Sequence, residues 1–160
     1  MGDAVLFPVT AFEIRGKDNE YIRLEISEIY GFPNETSFRG GYDIKCRLEI
    51  ASGVYGLATD NYFSSTGALR ALYSGLSKCY AELSGKCSYG VFHAENDLTF
   101  DISFEQGQVA VFGRYQDEDF RNNILCFEFD SDQSYFSQVL ADLKNVLKLF
   151  DDGHGLSDNI

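Results

Sequence analysis

Along most of this chain apolar and polar positions alternate with a period of two, the pattern of strands with one buried and one wet face. YDIKCRLEI (42–50) is the clearest case: Ile44, Cys46, Leu48 and Ile50 share one side, and Asp43, Lys45, Arg47 and Glu49 the other. AFEIRG (11–16) predicts a short strand, closed by the polar turn KDNE (17–20). In YIRLEISEIYGF (21–32) the apolar side holds Ile22, Leu24 and Ile26, then slips, because Ile29 has the opposite parity. A β-bulge near Ser27–Glu28 accounts for such a slip. Pro33 and NETSFRGG (34–41) predict a loop, and Ser52-Gly53 a turn into a hairpin partner, GVYGLAT (53–59). The second half predicts a meander of KCSYGVFH (86–93), DLTFDISFE (97–105), QVAVFGRYQ (108–116) and NILCFEFD (123–130). The short connections make these antiparallel neighbours.

Two segments switch to helical spacing. In SSTGALRALYSGLSKCYAELSG (64–85), Leu69, Leu72, Tyr73, Leu76, Tyr80 and Leu83 form one stripe. Ser64 or Ser65 is placed to cap it, Gly85 to end it in a left-handed conformation, and Gly75 to mark a close approach to a strand. In SDQSYFSQVLADLKNVLKLF (131–150), Ser131 or Asp132 is the cap. Tyr135, Phe136, Val139, Leu140, Leu143, Val146, Leu147 and Phe150 form the apolar face. The resulting fold class is α+β: about eight antiparallel strands, as a sheet, half-open barrel or sandwich, with two amphipathic helices packed on it. One domain spans 1–150, and the polar, Gly-containing 151–160 is expected to be a flexible tail.

Composition adds a direction. Of 160 residues 13 are basic and 25 acidic, giving a net charge of −12, a field that repels phosphate backbones and anionic membranes. A basic partner is drawn in by the same field. No run reaches the ~18 apolar residues of a membrane span, and the start lacks the pattern of a secretory signal, so a cytoplasmic address is expected. The four cysteines form no CxxC pair and are read as small buried hydrophobes.

Candidate chemistry is sparse. His93 and His154 are the only histidines, one among strand residues and one in the tail, and no nucleophile elbow accompanies either. Cys79, Cys87 and His93 match no zinc spacing, and GVYG and GRYQ do not open helices as phosphate loops do. No catalytic residue, metal or cofactor is expected. What remains is recognition: Asp117, Glu118 and Asp119 form an acidic run framed by Tyr115 and Phe120. Asp101, Glu128 and Asp130 fall on the polar faces of strands. Carboxylates beside aromatics suit a protein-binding surface.

The order of elements resembles the WapI-type immunity proteins found beside bacterial polymorphic and contact-dependent toxins. The residues that carry the likeness are IYGFP (29–33), YDIKCRLEI (42–50), the helix with Leu69, Leu72, Leu76, Tyr80 and Gly85, and FEFDSDQSYFSQVLADL (127–143). The resemblance implies a small protein that binds and neutralises a cognate toxin domain without catalysis, the partner being basic and nuclease-like on charge grounds. The competing readings are a small-ligand or carbohydrate-binding β-domain, its sheet curled around a ligand, and an acidic-residue enzyme, with or without a metal.

Overall fold

The computed structural model describes residues 5–38, 40–90, 97–117 and 123–150. Eight antiparallel strands form two four-stranded meanders. The first, in order β1-β2-β3-β4, comprises β1 (Val9–Arg15), β2 (Tyr21–Tyr30), β3 (Asp43–Ser52) and β4 (Tyr55–Ser65). The second, in order β5-β6-β7-β8, comprises β5 (Gly85–Gly90), β6 (Asp97–Glu105), β7 (Gln108–Gln116) and β8 (Ile124–Asp132). Helix α1 (Thr66–Glu82) joins the sheets, and α2 (Phe136–Leu149) follows β8 through a 3-10 turn at Gln133–Tyr135.

The alternation in sequence is the alternation in burial. Ile44, Cys46, Leu48 and Ile50 are buried on β3, Ile22, Leu24 and Ile26 on β2. The expected slip is present, the β2–β3 register shifting between Ile26 and Glu28. Inward residues of both sheets belong to one core with the helices. Its centre is aromatic: Phe12 of β1 meets Tyr89 and Phe100 edge-on at 6.0 Å between ring centroids, and Tyr89 stacks on Phe100 at 5.1 Å. A buried hydroxyl cluster ties the sheets together, Tyr89 Oη lying 2.8 Å from Tyr62 Oη and 2.7 Å from Ser64 Oγ. Where β1 ends beside β8, Lys17 N–H donates to the Asp130 carbonyl at 2.9 Å, and the buried Ser131 hydroxyl donates to the Arg15 carbonyl.

Both helices pack as their stripes predict, with differences at the ends. Leu69, Leu72, Leu76 and Cys79 of α1 are buried, and Gly75 faces β5 so closely that a Cβ there would lie 3.0 Å from Cys87 Cβ. Ser65 is the cap, its side chain accepting from Ala68 N–H at 3.1 Å. Ser64 instead belongs to β4, which runs six residues past the expected end at Thr59. Helix α1 ends at Leu83, not Gly85: Leu83 itself takes the left-handed conformation at φ 54°, and Gly85 opens β5. At the other end of the second sheet, β8 continues through Asp132, which caps the 3-10 turn rather than α2. Tyr135 consequently sits outside the buried face, while Phe136, Val139, Leu143, Val146, Leu147 and Phe150 fill it.

Candidate partner-binding surface

The inward set of the second sheet dictates its outer face. Because Cys87 and Tyr89, Phe100 and Ile102, Val109 and Val111, and Phe127 and Phe129 are buried, the residues between them point away from the core. The strand register then aligns Ser88, Asp101, Phe112 and Glu128 in one row across all four strands. Lys86, Ser103, Ala110 and Asp130 form the adjacent row.

Asp101 is held in place: it accepts from the Ser88 hydroxyl and pairs with Lys86 Nζ at 3.3 Å. Lys86 Nζ also lies 5.3 Å from the centroid of the Phe112 ring, within cation–π range. Phe112 is 38% exposed in the middle of this polar row. A shallow groove of about 540 Å³ runs beside it, walled by Thr99, Asp101, Phe112, Arg114, Cys126 and Glu128. An aromatic ring ringed by oriented charges has the chemistry of a protein-recognition patch.

Three of the residues singled out in the sequence, Asp101, Glu128 and Asp130, thus share one face. Tyr115 does not lie on it: it points inward, 7% exposed, its ring 6.4 Å from that of Tyr62. Asp117 closes the end of β7, its N–H donating to the Asn123 carbonyl at 3.3 Å. It lines a second groove of about 510 Å³ with Leu57, Thr59, Tyr115, Ile124 and Leu125. Glu118, Asp119 and Phe120 lie outside the described residues, as do His93, His154 and Asp151–Asp152. Phe112 is the residue that sequence reasoning passed over. Its signal was the parity of QVAVF, in which Val109 and Val111 inward force the ring outward. Cys126 likewise is exposed, not buried as expected, because Leu125 and Phe127 on either side face in.

The first sheet presents a different surface. Glu13 of β1 accepts from Arg23 of β2, whose other nitrogen pairs with Glu49 of β3 at 2.7 Å. Arg47 then links Glu49 to Asp60 of β4, both at 2.8 Å. Burial raises the Glu13 carboxyl, but hydrogen bonds from Arg15 and Arg23 outweigh it and hold the group below its ordinary value. These charges alternate in sign and pair with one another, so this face offers a partner little net field.

Three buried titratable groups, Tyr89, Cys87 and Cys46, are shifted away from reactivity. Burial pushes the Tyr89 phenol and the Cys87 thiol up to about 12 and the Cys46 thiol higher still, whereas a nucleophilic thiol needs a lowered value. Among the described residues no group of three His, Cys, Asp or Glu side chains is placed to hold a metal ion. No helix among them is long and apolar enough to cross a membrane.

A solved chain of the CdiA-CT/CdiI toxin and immunity complex from Enterobacter cloacae is similar over 84% of this chain and 99% of its own, with a TM-score of 0.42 and 12% identity. Curated protein sequences give no match. The model of the immunity protein WapI-like family matches residues 13–151, from within β1 to just past α2. The chain therefore belongs to the immunity protein WapI-like family.

Proposed function

We propose that the chain neutralises one cognate toxin domain by binding it through the outer face of the second sheet, with Phe112 as an apolar anchor and Asp101, Glu128 and Asp130 as the orienting charges. The observation that carries the reading is family membership over residues 13–151, since immunity proteins act by binding and have no catalysis of their own. The choice of face rests on two supports. On the first sheet Glu13, Arg23, Glu49, Arg47 and Asp60 pair with one another, and on the second sheet Glu128 and Asp130 make no ion pair among the described residues and lie on the same face as the exposed Phe112. A net charge of −12 favours a basic partner such as a nuclease domain, which it would also steer towards productive encounter.

The ligand-binding alternative asks the inward aromatics to line a cavity. Phe12, Tyr89 and Phe100 instead pack on one another. The test is co-expression with the toxin domain encoded beside this gene: the chain should restore growth, and Phe112→Ala combined with Glu128→Lys should abolish the rescue while the fold is retained. Full rescue by that double variant would remove this face from the account; no rescue by the unaltered chain would remove the function.

A further inference from the structure

Strand β4 is the outermost strand of the first sheet, bonded to β3 on one side. Among the described residues, no backbone group of Tyr55–Thr59 bonds to any main chain other than that of β3. Such an edge is a template for another strand, and proteins ordinarily guard it with charge, proline or a covering element. The other sheet edges show such guards. Helix α2 packs on β1 and α1 on β5, while β8 carries Glu128, Asp130 and Asp132 and meets Lys17 at its end. The segment YGLAT (55–59) has neither charge nor proline.

The β3–β4 hairpin that carries this edge closes on Gly53-Val54, Gly53 having the positive φ (63°) that a two-residue turn needs at its first central position. Its closing pair, Ser52 and Tyr55, sets the antiparallel alternation. The N–H and C=O groups of Gly56 and Ala58 therefore point to the open side. The hairpin tip adds apolar surface, with Val54 93% and Tyr55 69% exposed. Beside the edge lies the second groove, where Leu57 and Thr59 face Ile124 and Leu125, with Asp117 at one end.

We infer that this edge accepts an extended segment of the toxin domain as an added strand, a mode of binding that rests on the toxin-neutralising reading above. Main-chain bonds to Gly56 and Ala58 supply the affinity. The groove takes alternate apolar side chains of the incoming strand, and the net charge of −12 favours a basic segment. The edge from Tyr55 to Thr59 is roughly 14 Å long, enough for a short strand. Charge sets the occupant: a second copy of this chain would bring another −12 against the first, whereas a basic segment is attracted.

The test is amide hydrogen exchange on the full chain, alone and with the toxin domain encoded by the neighbouring gene. Added strand pairing slows exchange at Gly56 and Ala58 in the complex. Ala58→Pro removes one outward N–H without touching the β3 ladder and should weaken binding by about tenfold or more. Ala58→Lys, which sets a charge on the edge, should do the same should the proline variant fold poorly. Unchanged exchange at both amides, with Ala58→Lys binding as tightly as the unaltered chain, overturns strand addition but leaves toxin binding standing. Absence of any complex overturns both. Protection in the chain alone, with a doubled mass, assigns the edge to self-association and overturns the inference.

Discussion

At the scale of single residues, Tyr89 shows how the two sheets are held in one arrangement. Its hydroxyl joins Tyr62 and Ser64 in a buried cluster, so Tyr89→Phe leaves two buried hydroxyls short of a partner. The expected cost is about 1–3 kcal/mol in chemical denaturation. The same group makes stability depend on alkaline pH. Burial holds the folded phenol at about 12, whereas an unfolded tyrosine titrates near 10. Between those values the unfolded chain has lost a proton that the folded chain keeps, so stability declines as pH rises, by up to about 1.4 kcal/mol per pH unit for this group. The contribution is fully present below pH ~10 and gone above about 12. Tyr89→Phe should therefore flatten the alkaline limb of a stability–pH curve as well as lower its plateau; an unchanged limb would place the titration elsewhere.

Among the elements, α2 is the one whose core role follows most directly from spacing. Leu143 lies in the middle of its buried face with Val139, Val146 and Leu147. Leu143→Ala should cost about 2–5 kcal/mol, measured by thermal or urea unfolding, through the cavity it opens beneath the helix. The strands were legible for the same kind of reason: a period of two on β2, β3, β6 and β8 named the buried side residue by residue, and even the bulge after Ile26. Element ends were less legible, and the cause is specific. Ser64 and Ser131 are buried polar residues inside strands, satisfied by Tyr89 and by the Arg15 carbonyl across the core. Without the tertiary partner in view, a serine next to a helical pattern reads as a cap. The candidate surface was half legible. Parity placed Asp101, Glu128 and Asp130 outward, but Phe112 was hidden in an apolar run, and Tyr115, read as framing the acidic run, has its side chain in the core. That Asp101 and Glu128 flank the same ring depends on register across three strands, which no local pattern contains.

For the whole molecule, the proposed partner is a basic toxin domain, and the net charge of −12 bears on their encounter. With −12 spread over 160 residues, association with a basic toxin domain should be accelerated by long-range attraction and slowed as salt shortens the Debye length. Stopped-flow measurements between 0.05 and 0.5 M salt should show association slowing by about tenfold or more with little change in dissociation. An association rate indifferent to salt would mean that shape and apolar contact, not charge, organise the encounter. The central claim is that this chain binds and silences one toxin domain. Its most direct test is a titration of the purified toxin domain, encoded beside this gene, with the purified chain, following binding and toxin activity together. The complex should be saturable and of fixed stoichiometry, with toxin activity falling to zero at equivalence. Toxin activity that persists with the chain in excess would contradict that claim.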